Sequence, residues 1–583
     1  MNWDLTKIYK NEVLWEEDFK KLDSYILELV NLKGTLGTKE GFEKYTRWYN
    51  ESGILLTKLY VYASMNNDLN QKNKESSKLL DRISLKYAQY VEKSSFIEPE
   101  ILSNSKDTIL SYCTGKYQSF YHSMENLFRR NEHVLNEKEE SILASFQDAS
   151  STFNSLYSKL TIVDNHDVKV TLENKEEITV NKSNMTYYLS ILDNPLDRTK
   201  VFNAVYEFLD IHKNTLAAIY AGILKSEYAN AKARGYSSMV EARLDSENIP
   251  VSVYESLIHT TRENTAPLKR YYKLRKEYLK LDKIRTYDRF LKFRESSINY
   301  SYPEAKKMVL EAMDFMGSDY KAKAELCLED GRVDVSIKEG KRNGAYSTST
   351  FKEGAFILLN HNGDLSDAFT VAHECGHSIH TTYTNEAQEY VNSNYSLFVA
   401  EVASTFNEQR FLDYLMGIVK DKDERIVLLQ QAIDNICATY YRQTLFASFE
   451  YEAHKLLEEG KPIDEEALSS IMRSLYKDYY DIDLNEEEYK CLVWAYIPHF
   501  FNYPFYVYQY ATSFSASMAL YDDIKNKKEG AFDKYINLLK SGGSNYPVLL
   551  LKEAGCDLTK KDAFLAVVRR MDSLLDLLEA LLK

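Results

Sequence analysis

Residues 364–383 read DLSDAFTVAHECGHSIHTTY. The stretch follows Gly363, offers Asp364, Ser366 and Asp367 as N-caps and contains no Pro, so it predicts a helix over Ala368–Tyr383. On such a helix His373 and His377 stand one turn apart on one face, where both imidazoles can reach one ion. Glu374 sits beside them, placed to reach water at that ion. The same helical character extends outward. No Pro falls between Glu304 and Lys461 or between Met1 and Glu98. With 20 Gly and 9 Pro in 583 residues, the two breakers make up about 5% of the chain, against roughly 12% in average usage. The expected fold class is therefore mainly α. Long Pro-free stretches argue against a many-turned sandwich, barrel or propeller.

HExxH supplies two ligands, and a catalytic zinc site needs a third protein ligand and one open position. His380 is seven residues from His373, roughly 10 Å along a helix axis, so one ion could reach all three imidazoles only with severe strain. Glu401 is the better candidate. It lies 24 residues after His377 in the apolar helical stretch SLFVAEVASTF, where an acid is costly to bury unless it is paired or metal-bound. The intervening Asn385–Ser396 can turn the chain and return a second helix beside the first. Cys375 points away from the ligand face. Gly376 weakens its helix by about 1 kcal/mol relative to Ala, which suggests close approach by another backbone. Glu408, two turns beyond Glu401, is within reach of a ligand histidine or of solvent, and His380 reads as a structural or supporting histidine.

Away from this stretch, Glu16 to about Cys113 reads as helical hairpins, with no fixed repeat period. Apolar and polar residues alternate in Val168–Leu172 and Ile178–Val180, predicting a β-hairpin. A second β island, RNGAYSTSTFKEGAFILLNHNGD at 342–364, contains the short apolar strand Ala355–Leu359. Three regions follow: an N-terminal helical region at 1–115, a helical and hairpin connection at 116–195, and a catalytic region at 196–583. Residues 496–510, YIPHFFNYPFYVYQY, crowd His499, Tyr503, Tyr506, Tyr508 and Tyr510 between and after two prolines. Pro498 and Pro504 predict a loop, then a helix from near Phe505 on which Tyr506 and Tyr510 share a face. Tyr OH and imidazole groups can donate to a developing oxyanion.

The formal net charge is -14, and no basic run exceeds a few residues, so the chain is a poor general binder of phosphate backbones; no nucleic-acid or membrane partner is expected. The six cysteines are dispersed and never form CxxC, which reads as reduced thiols. The opening MNWDLTKIYK lacks a basic segment followed by an apolar core, so the expected location is the cytoplasm.

HECGHSIH, FVAEVASTFNE and PHFFNYPFYVYQYA, with WDLTKIY, GAYS, FILLNHNGD and GGSNYP, resemble the oligoendopeptidase F branch of the thimet-oligopeptidase-like zinc metallopeptidases through nearly the whole chain. The resemblance implies a large helical ellipsoid with a deep substrate channel. It implies one zinc ion per chain on His373, His377 and Glu401, and Glu374 as the general base in attack of zinc-bound water. It also implies that the strand at Phe356–Asn360, through Phe356, Leu358 and Asn360, pairs with the peptide, and that His499 and a nearby tyrosine bind the substrate carbonyl. Tyr506 is the favoured tyrosine, with Tyr503 and Tyr510 behind it. His361 and Phe501 depart from the residues often found at their positions. The expected activity is hydrolysis of internal bonds in short unfolded peptides. Two rivals are a zinc carboxypeptidase, gripping a terminal carboxylate with Lys341, Arg342 or Arg442, and a peptide-binding scaffold with a structural metal. The intact Glu374 argues against the second.

Overall fold

A computed structural model describes residues 2–295, 298–487 and 489–583. Helices dominate, and the five strands among the described residues are β1 (Val168–Thr171), β2 (Glu177–Val180), β3 (Val333–Ser336), β4 (Tyr346–Thr350) and β5 (Gly354–His361). The chain forms two compact units, each built from three separated segments. The first comprises Met1–Glu132, Ile298–Ile418 and Leu520–Cys556; the second comprises His133–Ser297, Val419–Ala519 and Asp557–Lys583. These units cut across the sequential division at 115 and 195, because the chain leaves each unit and returns to it.

In the first unit, the expected N-terminal hairpins are the helices Glu12–Leu32, Lys39–Leu69 and Lys74–Ser94. Asn11, Thr38 and Asn73 cap them by accepting backbone N–H bonds. Their apolar faces bury Trp15, Leu22, Leu56 and Leu59 in one cluster with Phe356 and Leu358 of β5. The sheet thus rests on the N-terminal helices. Its order is β3-β5-β4, with β3 parallel and β4 antiparallel to β5.

The motif helix runs Leu365–Ala387. Its start is over-determined. Asp364 accepts from the Asp367 N–H, and the Asp367 carboxylate accepts from the N–H groups of Asn362, Gly363 and Asp364. Gly363 turns the chain into this cap with φ of 95°, a left-handed conformation that costs Gly little. The following Leu397–Ile418, here the glutamate helix, packs along the motif helix. A Cβ at Gly376 would lie 2.5 Å from the Ala403 carbonyl oxygen and 2.6 Å from Ser404 Cα, so the missing side chain is what lets the two backbones meet. Buried Asn407 adds a polar tie, donating to the Ala372 carbonyl and accepting from the Tyr320 hydroxyl. The connection between the helices is clamped by GGSNYP: Gly543 N–H donates to the Asn392 carbonyl at 2.9 Å, and a side chain on Gly542 would collide with that same oxygen.

The second unit holds the predicted hairpin, with Val168 opposite Val180 and Thr171 opposite Glu177. Its helices include Lys422–Ile436 and Arg442–Glu458, joined through a π-helical turn at Cys437–Tyr441.

Gly376→Ala should force the motif and glutamate helices apart and destabilise the first unit by about 1–3 kcal/mol, the usual range for overpacking. Thermal unfolding and zinc stoichiometry of the variant both report this, and an unchanged melting temperature would contradict the close approach.

Candidate metal centre and catalytic site

His373 and His377 project from one face of the motif helix, and Glu401 meets them from the glutamate helix. His373 Nε2 is 3.2 Å from His377 Nε2, and Glu401 Oε2 lies 3.3 Å and 3.5 Å from those nitrogens. Tetrahedral bonds of about 2.05 Å put neighbouring donor atoms about 3.3 Å apart, so the three donors are spaced as one face of a zinc tetrahedron would be. Two imidazoles and one carboxylate also match the donor chemistry of hydrolytic zinc. Among the described residues, this is the one group of three or more such side chains with converging donors.

The surroundings reinforce the fit. Glu408 Oε1 stands 2.5 Å from His373 Nδ1, where it holds a proton and would leave Nε2 to act as the ligand atom toward a bound metal. His377 is hydrogen-bonded to the Ala400 carbonyl. Burial opposes a charge on His373, but Glu401 and Glu408 outweigh it and raise its pKa well above the ordinary value. Burial also opposes a charge on Glu401, yet the two histidines hold its pKa down at about 2. The pocket therefore favours positive charge. His380 takes no part in the triangle. It is buried and stacked on Tyr395 with ring centroids 3.8 Å apart. Cys375 is also buried away from the donors.

Glu374 is buried beside His373, and its Oε2 has no hydrogen-bond partner among the described residues. Burial pushes its pKa up to about 7, while His373 and the Ser347 N–H at its carboxylate work the other way. Ser347 belongs to β4, which identifies the strand edge beside the site. Ser347 faces Ile357 across the ladder, and the Ile357 N–H is spent on the Arg332 carbonyl on the β3 side. Ser347 therefore turns its N–H and C=O outward from the sheet.

This corrects the assignment of peptide pairing to Phe356–Asn360. β5 is the central strand, with both edges used by β3 and β4. The Phe356 and Leu358 side chains are core residues, and Asn360 donates to the Arg342 and Gly344 carbonyls. The edge that sequence reasoning missed is Tyr346–Thr350. Its signal was the polar run Ser-Thr-Ser-Thr, too hydrophilic for a strand covered on both sides. Two proposed carboxylate grips are also engaged elsewhere. Lys341 Nζ donates to Asp334 Oδ1 and to the Ser336 and Leu359 carbonyls, and Arg342 reaches Asp68.

His499 and the tyrosines belong to the second unit and gather there. His499 and Tyr506 lie parallel with centroids 6.0 Å apart. Tyr510 stands edge-on to both, and Tyr503 is 6.1 Å from Tyr506. The helix begins at Tyr508, not near Phe505. Phe505 adopts φ of 53°, which no helix tolerates, so Tyr506 sits in the turn before the helix. Tyr508 turns inward against Tyr254. The turn is anchored by Glu450, fully buried, whose Oε1 accepts the Phe505 N–H at 2.8 Å. Burial drives the Glu450 pKa up to about 8, so its carboxyl is neutral at pH 7.

A sequence profile of Peptidase family M3 matches residues 192–570, and one of Oligopeptidase F matches 100–165. The chain belongs to peptidase family M3. It is 33% identical to oligopeptidase PepF of Bacillus subtilis, over all of this chain and 87% of that protein. It is also 33% identical to chromosomal oligoendopeptidase F of Lactococcus lactis subsp. cremoris, over all of this chain and 97% of that protein. A Chlamydophila abortus crystal structure described as a peptidase superposes with TM-score 0.92 at 29% identity, covering 100% of this chain and 98% of that one. Oligoendopeptidase-F from Enterococcus faecium gives TM-score 0.72 at 29% identity, covering 98% and 99%. The M3 chain is thus a metalloendopeptidase of the oligoendopeptidase F type.

Glu408→Gln should weaken zinc binding by about 10–100-fold, the usual cost of removing such a support; competition with a chelator measures it. For Glu450 the folded pKa lies above the unfolded one, so wild-type stability falls as pH rises from 4.5 to about 8. Glu450→Gln, neutral at every pH, should match wild type at pH 4 and exceed it progressively up to pH 8 in denaturant titrations.

Proposed function

We propose that this chain is a zinc-dependent oligoendopeptidase that hydrolyses internal bonds of short, unfolded peptides. The observation that carries the proposal is the His373–His377–Glu401 triangle with the unpaired Oε2 of Glu374 beside it. Bound to the triangle, a zinc ion supplies Lewis acidity that brings the pKa of water toward about 7 and polarises a carbonyl. Glu374 accepts the proton of the attacking water at Oε2 and passes it to the departing amine nitrogen. Glu408 keeps the His373 Nδ1 proton in place throughout.

The substrate is bound in extended form along the outer edge of β4, where the Ser347 C=O is turned outward from the sheet while its N–H serves Glu374; such pairing reads main chain and leaves side-chain selectivity broad. His499 and Tyr506 are assigned the role of donating to the carbonyl oxygen as negative charge develops there. Tyr503 and Tyr510 flank them as substrate contacts. This assignment rests on the sequence motif and on the mutual packing of the four rings. Lys341 and Arg342 are engaged within the first unit and so are not free to grip a terminal carboxylate. All six cysteines are free, and no helix of the described residues is long and apolar enough to cross a membrane. We infer that the enzyme works in the cytoplasm.

Glu374→Gln should keep one zinc per chain and lose hydrolysis of an internally quenched peptide by at least about a thousandfold. Tyr506→Phe and His499→Ala should each cost about 10²–10³ in kcat. Chelation should abolish turnover and added zinc restore it. Products with internal cuts are expected by mass spectrometry; stepwise loss of C-terminal residues would overturn the endopeptidase reading.

A further inference from the structure

The second unit contains a cluster of cations that peptide hydrolysis does not use. A cavity of about 290 Å³ is walled by Arg289, Arg442, Tyr272, Tyr480, Cys437 and Asp434, among others. Arg442 is the first residue after the π-helical turn Cys437–Tyr441; such bulges are frequent at functional sites. Its guanidinium rests on Phe446 and its buried Nε has no hydrogen-bond partner. Arg289 rests on Phe290. Lys490 is buried with its ammonium 5.4–5.6 Å from the rings of Phe202, Tyr206 and Tyr476. Among the described residues, no hydrogen bond or ion pair within 4 Å engages these three side chains, and the attraction of Glu487 for Lys490 and of Asp434 for Arg289 acts at longer range.

The nearby acids make their hydrogen bonds elsewhere. Asp434 accepts from the Tyr271 hydroxyl and Gln430 Nε2 and lies 3.9 Å from Arg275, while burial raises its pKa. Glu487 accepts from the Thr286 N–H and hydroxyl. Burial lowers the pKa of Arg442 and of Lys490 and the neighbouring arginine charges push the same way, outweighing the opposite pull of Tyr476, Tyr480 and Tyr206 on Arg442 and of Glu487 on Lys490. Like charges gathered out of water are costly unless something negative joins them, and a guanidinium pair matches a tetrahedral or planar oxyanion by bidentate bonds.

We propose that the cavity walled by Arg289 and Arg442 is an oxyanion-binding site, holding a phosphate or carboxylate group between the two guanidinium groups. Two sources carry that chemistry: a free anion, or the C-terminal carboxylate of a peptide.

Titration calorimetry of the full chain with inorganic phosphate at fixed ionic strength should show one phosphate bound. Arg289→Met and Arg442→Met should each weaken binding at least tenfold. A peptide with a free C-terminal carboxylate that displaces phosphate, where its amide does not, assigns the site to peptide ends; displacement by neither assigns it to the free anion. In phosphate-free buffer Arg442→Met should melt no lower than wild type, because it removes a repelled, unpaired charge. Absent phosphate binding, unchanged binding in both Met variants, or a lowered melting temperature of phosphate-free Arg442→Met would each overturn the proposal.

Discussion

The contact between Gly376 and the backbone at Ala403–Ser404 is the constraint on which the metal centre depends. Two histidines one turn apart are easily made by any helix; the third donor must come from elsewhere and arrive within a few tenths of an ångström. The glutamate helix achieves this by lying against the motif helix where the latter has no side chain. Any larger residue at 376 would hold the backbones apart and carry Glu401 away from the two Nε2 atoms. The other devices of the first unit serve the same contact. Asn407 ties one helix to a carbonyl of the other, the double cap at Asp364 and Asp367 sets where the motif helix begins, and Gly542 and Gly543 press on the loop that joins the pair. About 1 kcal/mol of helix propensity lost at Gly376 is small beside the geometric precision gained.

Electrostatics follow from that geometry. Bringing Glu401 and Glu408 to His373 builds a site that stabilises positive charge inside a partly dry pocket, and the same environment raises the affinity of Glu374 for a proton. The three carboxylates therefore have different tasks by position. Glu401 is held ionised, Glu408 holds the His373 ring through Nδ1, and Glu374 stays beside them with one oxygen unengaged. A bound dication adds positive charge near Glu374 and so favours its ionised, proton-accepting form.

The parts of this arrangement that were legible from sequence are those governed by local periodicity. His373, His377 and the exclusion of His380 follow from 3.6-residue spacing, the cap at Asp364 from turn chemistry, and the hairpin at 168–180 from alternation. Glu401 was legible because an acid in an apolar stretch needs a reason, and Gly376 because a glycine inside a helix does too. What local pattern could not determine was pairing between distant segments. Ala355–Leu359 reads as a buried strand, and it is one; that β3 and β4 flank it on both sides, leaving β4 as the edge, depends on partners 6 to 24 residues away. The interleaved units escape a sequential reading for the same reason. Phe505 escapes it differently: its left-handed backbone is sustained by Glu450, some fifty-five residues earlier, and nothing in the local run announces it.

Several of the tyrosines belong to this non-local category. Tyr320 closes the hydrogen-bonding of Asn407, Tyr254 donates to the Ala447 carbonyl, and Tyr390 lies against Gly53 and donates to or accepts from Thr57. Each fills volume and satisfies one buried polar group with a single side chain, which suits a helical protein whose carbonyls are mostly spent within helices. The same accounting gives meaning to the exceptions. A buried polar atom that finds no protein partner is costly, so where it recurs beside a cavity it marks a place built for something else. Glu374 Oε2 is such an atom beside the metal triangle, where a proton in transit is required. Arg442 Nε is another, beside a cavity with a second guanidinium in its wall, and there the missing group must be negative.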